Sequence, residues 1–371
     1  MLYRQSYVWE SEDWPHWVYD AKALWPLVTK IHRAQGHLFG RLEDCGMDVK
    51  SQAMLHSLTS DVLKTSEIEG EMLNPHSVRS SIALRLGLDV GGSSLVDRNV
   101  DGVVDMTLDA TQHYDLPLTK ARLFGWHRAM FPTGISGLSV IRSGAWRDDI
   151  GGPMQIVSGG YGVEKVHYEA PPAEHLEQEI ASYLDWFNHD KTDDPVIKAG
   201  IAHIWFEMIH PFDDGNGRIG RAIADMALAK ADMSPHRYYS LSSQIHLERK
   251  EYYRALEKAG KGGLDITLWL EWFLACLYRS IESAQNTLNT VLEKSRFWKK
   301  ISHVTLNERQ TTLINSLLDG TFFGHLTTSK WAKIAKCSQD TAYRDMLYLT
   351  EKGILMKSPD SGRSTHYQLL K

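Results

Sequence analysis

Within one short stretch, His210-Pro211-Phe212-Asp213-Asp214-Gly215-Asn216-Gly217-Arg218-Ile219-Gly220-Arg221, the chain offers a base, a carboxylate, a glycine-rich loop and two arginines. Glycine at 215 and 217 frees the backbone to turn successive N–H groups into one concavity. The apolar-periodic segment that follows predicts a helix, and its N-terminus adds to the same anion site. Arg218 and Arg221 stand three residues apart, so on a helix they share a face and reach one oligophosphate with planar, permanently charged forks. Asp214 has the hard oxygen donors that Mg²⁺ prefers where it bridges phosphates. A histidine ordinarily titrates near neutrality, so His210 could take a proton from an attacking hydroxyl. Together these are the parts of group transfer from a nucleotide. Taken singly, His-Pro reads as a helix terminus and Gly-Asn-Gly as a turn; their fixed order is what points to chemistry.

The stretch matches HPFx[D/E]GNGRxxR at every defining position, and the chain resembles the Fic-domain adenylyl transferases. The resemblance implies a mainly α fold, a Fic-type helical core with a β-hairpin flap. It also implies that His210 is the general base for a protein Ser, Thr or Tyr hydroxyl and that Asp214 binds Mg²⁺. Gly215, Asn216, Gly217 and Arg218 would hold the phosphates of ATP, Arg221 its γ-phosphate, and Phe212 would pack inward to fix the loop. Relatives that phosphorylate carry lysine at the second glycine. This chain keeps Gly217, which favours transfer of AMP.

Upstream, Thr65-Ser66-Glu67-Ile68-Glu69-Gly70 fits the [S/T]xxxE[G/N] pattern of the family's inhibitory helix. On the resemblance, Thr65, Glu69 and Gly70 form that motif and Glu69 pairs with Arg221. The physics is independent of the family: a carboxylate lodged on a phosphate-binding arginine takes an anion's place and repels the anion that should follow. Otherwise Asp61, Lys64, Glu67, Glu69 and Glu71 read as a solvated helix face.

The 371 residues exceed what one hydrophobic core usually organises. With 43% hydrophobic and 23% charged residues and twelve tryptophans, the composition is that of an ordinary globular protein. A net charge of -5 gives no global reason to bind nucleic acid or anionic membrane. Cys45, Cys276 and Cys337 are scattered, which suits a reducing compartment and offers no metal spacing. A cytoplasmic protein is expected.

Three domains are expected: an N-terminal helical extension with the inhibitory helix over 1–94, a catalytic core over 95–300 and a C-terminal winged helix-turn-helix over 301–371. In the first, Leu24, Leu27, Val28, Ile31 and Met54, Leu55, Leu58, Val62 recur at helical spacing, and Trp9, Trp14, Trp17, Tyr19 and Trp25 read as core. In the second, Ile197, Ile201, Ile204 and Met208 deliver one helix to His210, while Ile219, Ile223 and Met226 carry another away. His127 lies on an earlier helix and reads as a core histidine. Tyr252 and Tyr253 lie on a later helix that in relatives helps bury adenine, so either could contact the nucleotide. The one exception to the helical pattern is a hairpin over 154–168 with a glycine-rich turn. In relatives such a flap aligns the target segment by strand addition.

In the tail, a helix through Trp331 and Ile334, a turn at Cys337 and a helix carrying Arg344, Met346 and Leu349 precede a short hairpin. Asp340 and Asp345 offset Arg344, so the face is not a basic stripe. DNA contact competes there with protein docking or homodimerisation. The function expected is transfer of AMP from ATP to a hydroxyl of a target protein, or of the protein itself, with release of pyrophosphate. The alternatives are removal of AMP at the same site and a nucleotide-sensing DNA-binding regulator.

Overall fold

The computed structural model describes residues 7–88, 98–158, 165–191, 194–318, 322, 324–358 and 366–370. The glycine-rich loop at Gly91, the Gly159-Gly160 turn of the flap and the Pro359–Arg363 turn lie outside the described residues. The described residues are mainly helical, in agreement with the sequence reading, and divide by compactness into Met1–Ala284 and Gln285–Lys371. The division falls inside one long helix, and the N-terminal helices share a unit with the segment that carries His210.

The first unit opens with α1 (Ala21–Glu43), α2 (Met47–Ile68) and α3 (Pro75–Arg85). Asp20 and Asn74 start α1 and α3 by accepting hydrogen bonds from first-turn N–H groups. Leu24, Val28 and Ile31 are buried along α1, and Met54, Leu55, Leu58 and Val62 along α2. The aromatic cluster does not form core. Trp9, Trp14 and Trp17 are half-buried and Trp25 is 63% exposed. The reason is amphipathic: the Trp9 and Trp14 indole N–H groups donate to the Glu169 carbonyl at 2.7 Å and the Glu179 carboxylate at 2.8 Å, which keeps both rings at a wet boundary.

Next come α4 (Arg98–Gln112) and α5 (Lys120–Met130), then two antiparallel hairpins, β1 (Ile135–Ser136) with β2 (Ser139–Val140) and β3 (Gln155–Ser158) with β4 (Lys165–Glu169). The first hairpin departs from the sequence reading, which held a single one in the catalytic core. Its strands are two residues each, too short for alternation to register, and Gly137 at φ 56 makes the turn. In the second, Ile156 faces Tyr168 and Val157 faces Val166, with an irregularity between them.

The unit closes with α6 (Leu176–His189), α7 (Pro195–Ile209), α8 (Asn216–Ala231), α9 (Leu241–Leu247), α10 (Arg249–Gly260) and the start of α11 (Thr267–Lys300). Every residue of α7 from Ala199 to Ile209 is buried, as suits a helix apolar all round. Gly200 allows the close approach of α11: a Cβ there would run into Leu270 and Phe273. The α2 helix is pinned to the start of α9 by Asp61, whose carboxylate accepts from the Ser240 hydroxyl at 2.6 Å and the Ser242 N–H at 3.1 Å. Asp61 is therefore no part of a solvated face; it is 2% exposed.

In the second unit, α12 (Glu308–Leu318), α13 (Thr328–Ile334) and α14 (Gln339–Glu351) precede β5 (Leu355–Lys357), which pairs antiparallel with β6 (Tyr367–Leu369). Thr327 and Ser338 cap α13 and α14, and Lys336 takes the left-handed conformation in the turn between them. Trp331, Ile314, Met346 and Leu349 form the core. Asp345 corrects the sequence reading. It does not offset Arg344 on the outer face, because it is 3% exposed and accepts from Arg309, Asn307 and Gln310. Arg344 pairs with Asp340 at 2.7 Å. No helix of the described residues is long and apolar enough to cross a membrane.

Candidate active site

Helix α7 stops at His210, which takes the left-handed conformation at φ 48 and ψ 59 while its N–H still bonds the Phe206 carbonyl at 3.0 Å. Pro211 follows and disfavours further helix. The turn into α8 is then braced from inside. Both ends of the Asn216 amide bind the Phe212 backbone, accepting from its N–H at 2.9 Å and donating to its carbonyl at 2.8 Å. What Asn216 can offer an anion is thus its own N–H, not its side chain.

Phe212 is fully buried and stacks on His127, with ring centroids 4.3 Å apart and planes 9° apart. His127 is also fully buried, and both its nitrogens are committed: Nδ1 accepts from the Gly144 N–H at 2.9 Å, so Nε2 carries the proton it donates to the Asp214 carbonyl at 3.1 Å. Burial holds its pKa down to about 4, so it stays neutral and fixes the loop. Sequence alone placed His127 in the core but not on the loop.

The His210 ring has one nitrogen engaged. Nδ1 donates to the Glu207 carbonyl at 3.3 Å, which leaves the Nε2 lone pair available. Burial first, and then the Arg147 charge, depress its pKa to about 4. The imidazole is therefore unprotonated at neutral pH, the form a base requires.

Gly215, at φ 81, caps α8, so the N–H groups of Asn216, Gly217 and Arg218 open the helix without intrahelical partners. Arg218 and Arg221 are 3% and 1% exposed. Each meets a carboxylate from the end of α2. Arg221 donates to the Thr65 hydroxyl at 2.7 Å, the Thr65 carbonyl at 3.0 Å and Glu69 Oε1 at 2.6 Å. Arg218 donates to Glu71 Oε2 at 2.6 Å. The chain reverses between the two acids at Gly70, φ 87, and the Glu71 N–H returns to the Ser66 carbonyl at 2.9 Å. Burial is the largest influence and would lower the Arg221 pKa, yet the Glu69 charge and hydrogen bond together with Tyr252 and Glu207 outweigh it, and the guanidinium is held above its ordinary value. Gly217 permits this approach, since a Cβ there would overlap the Glu69 carboxylate.

At the mouth of the loop Asp214 accepts from the Gly215 N–H at 2.5 Å and from the Ser136 hydroxyl, with Arg218 NH2 3.9 Å away. Its carboxylate is 42% exposed. One exposed hard-oxygen donor suits Mg²⁺, which takes its other positions from substrate oxygens and water. Among the described residues no three His, Cys, Asp or Glu side chains converge to hold a metal by themselves.

The two tyrosines part company. Tyr252 is 1% exposed and bonds His203 Nε2 at 2.9 Å within the core, so the proposed nucleotide contact is corrected for its ring: that ring has no face open to a ligand. Tyr253 is 40% exposed, and its hydroxyl donates to the Ile68 carbonyl at 3.2 Å, beside Glu69. Sequence reasoning read Glu71 only as part of a solvated helix face and passed over Ser136 and Arg147. No local pattern marks the first two. Arg147 stands eight residues before the flap strands, outside both the His210–Arg221 motif and the hairpin pattern.

The Fic/DOC family model matches residues 117–228, and a domain of unknown function, DUF4172, matches residues 7–88. A probable protein adenylyltransferase of Aquifex aeolicus is 33% identical over 99 residues, 27% of this chain and 28% of its own length. The protein adenylyltransferase Fic of Drosophila willistoni is 26% identical over 220 residues, 58% of this chain and 39% of its own. The chain thus spans less than half of these curated relatives. Among solved structures, a Fic family protein from Desulfovibrio desulfuricans superposes with a TM-score of 0.51 at 20% identity, covering 93% of this chain and 96% of its own. Fic-1 of C. elegans gives 0.52 at 20% identity over 73% and 74%. The motif, the turn between α7 and α8 and the family match coincide, so residues 117–228 of this chain form a Fic/DOC domain.

Proposed function

We propose that the first unit is a self-inhibited protein adenylyltransferase using ATP with Mg²⁺. The observation that carries the reading is the pairing at one loop of a neutral His210 with a free Nε2 and two buried arginines already occupied by carboxylates. A target hydroxyl oxygen attacks the α-phosphorus, the bond to the bridging β-phosphate oxygen breaks, pyrophosphate leaves, and the hydroxyl proton passes to His210 Nε2. Backbone N–H groups at the start of α8, with Arg218 and Arg221, balance the phosphate charge once Glu71 and Glu69 have withdrawn. Asp214 would hold the cation, which supplies charge neutralisation when bound. The exposure of Tyr253 near Glu69 supports its contact with the adenine of ATP. The largely exposed residues of β3, in a sheet of two strands, suit a target segment that docks as an added strand. The target protein, which includes the chain itself, and a cytoplasmic setting with unpaired thiols belong to the same reading. The test is incubation of the full chain with labelled ATP and Mg²⁺, read by intact mass: an added AMP supports it, and an added phosphate overturns it.

One observation favours a second direction. Glu69 keeps 30% of its side chain exposed inside the site, where it could orient a water and remove AMP from a modified protein. Loss of AMP from premodified protein in the absence of ATP separates the two.

For the second unit we propose a winged helix-turn-helix used for docking or homodimerisation in preference to DNA. The exposed side of α14 carries Tyr343 at 50% and Leu347 at 44% exposure beside a neutralised Arg344–Asp340 pair, a surface more apolar than basic. Duplex DNA binding that weakens steeply with salt would contradict this assignment, and a sedimentation shift on Leu347→Glu supports it.

A further inference from the structure

We propose that Arg147 is a positioning residue for the base: it clamps the backbone of His210 and Pro211 from behind and ties the base to the root of the flap. The proposal rests on the reading of His210 as the base. A non-glycine residue at φ 48 is held there only where its surroundings over-determine the conformation. Arg147 supplies that determination. Its Nε donates to the His210 carbonyl at 2.8 Å and its own N–H to the Pro211 carbonyl at 2.9 Å. These carbonyls lie past the end of α7, where helix geometry leaves acceptors without partners. The same guanidinium donates through NH2 to the Pro171 carbonyl at 2.5 Å and through NH1 to Asp149 at 2.9 Å. Asp149 in turn accepts from the Ala173 N–H at 2.6 Å, and Tyr168 on β4 donates to the Met208 carbonyl at 2.8 Å. The base and the strand proposed to align its target are therefore fastened to one side chain, which is wholly shielded from solvent.

A fork that points in three directions is not replaceable by a lysine point charge. The charge itself has a second effect. Arg147 disfavours protonation of His210, while Glu69 and Asp214 oppose it, so removing the Arg147 charge lets the imidazole protonate more easily. Geometry and charge can be separated: Arg147→Lys keeps the charge and loses the fork, whereas Arg147→Gln loses both.

The experiment uses the full chain carrying Glu69→Gly, alone and with Arg147→Lys or Arg147→Gln. AMP incorporation is followed from about pH 4, where the His210 ring titrates, up to roughly pH 9. Both variants are expected to lose about 10- to 100-fold in kcat with KM for ATP nearly unchanged, because misplacement of a reacting group costs rate. In Arg147→Gln the acid limb of the profile moves toward neutrality; in Arg147→Lys it stays. Unchanged kcat in both, or a loss shared with KM and no movement of the limb, overturns the proposal. If Glu69→Gly itself transfers no AMP, the functional reading fails, and NMR titration of the His210 ring still decides this one. A higher ring pKa in Arg147→Gln than in the parent supports the clamp's charge effect, and an unaltered one overturns it.

Discussion

Glu69→Gly raises self-labelling with AMP by about 10- to 100-fold over the parent, the value of one to two charge-assisted hydrogen bonds no longer competing with phosphate. Glu69 Oε1 lies 2.6 Å from Arg221 NH2 and directly over Gly217, so it holds both the arginine proposed for the γ-phosphate and the space beside the loop. A triphosphate arriving at the parent meets a filled fork and a repelling charge. In the variant the fork is free and the α-phosphorus can come into line with the attacking hydroxyl. The gain should be incomplete, because Glu71 still occupies Arg218 at 2.6 Å. Glu69→Gly with Glu71→Gln is expected to exceed the single variant, and Arg221→Ala in the Glu69→Gly background to cancel much of the gain. Labelled-ATP incorporation with Mg²⁺, alongside circular dichroism, is the measurement. A folded Glu69→Gly protein no more active than the parent would return Thr65–Gly70 to the role of a helix end.

His210→Ala, made in the activated background, should lower transfer by about 10² to 10⁴ while leaving nucleotide affinity within a few-fold, since the base serves the attacking hydroxyl and not the phosphates. Alanine at φ 48 strains the turn, so His210→Asn is the better-controlled variant: asparagine tolerates the left-handed region and is no general base at neutral pH. Calorimetric titration of ATP together with AMP incorporation separates binding from chemistry. Transfer at the parent rate by either variant would remove His210 from the mechanism.

The mainly α fold was legible because its signals are local. The α7 segment is apolar on every side, α8 begins at a glycine, and Thr327 and Ser338 announce their helices by hydroxyls in the capping position. The chemistry of the loop was legible for the same reason, being contiguous in the chain. Partnerships between distant residues were not. Glu71 and Arg218 are 147 residues apart, and no property of either names the other. Tyr252 and Tyr253 are neighbours whose opposite fates depend on the rotation of α10 about its axis, which packing sets. Asp345 looked like surface charge because an acid in a polar helix usually is one, whereas three donors from the α12 end of the unit had already claimed it.

The Asp61 pin on α2 has a consequence for how the protein would respond to its surroundings. A carboxylate carried on a helix end is a tethered competitor, and its hold on Arg221 follows from an effective concentration, not from a dose. That concentration stays high only while α2 stays docked. Two hydrogen bonds from Ser240 and Ser242 to one buried carboxylate secure the docking, some two turns upstream of Glu69. On the proposed self-inhibition, the threshold for activity would be the free energy of local opening of α2, a quantity that amide hydrogen exchange reads segment by segment. Temperature, or a partner that loosens α2, would set the output by tuning that opening, with no change to any atom of the site itself.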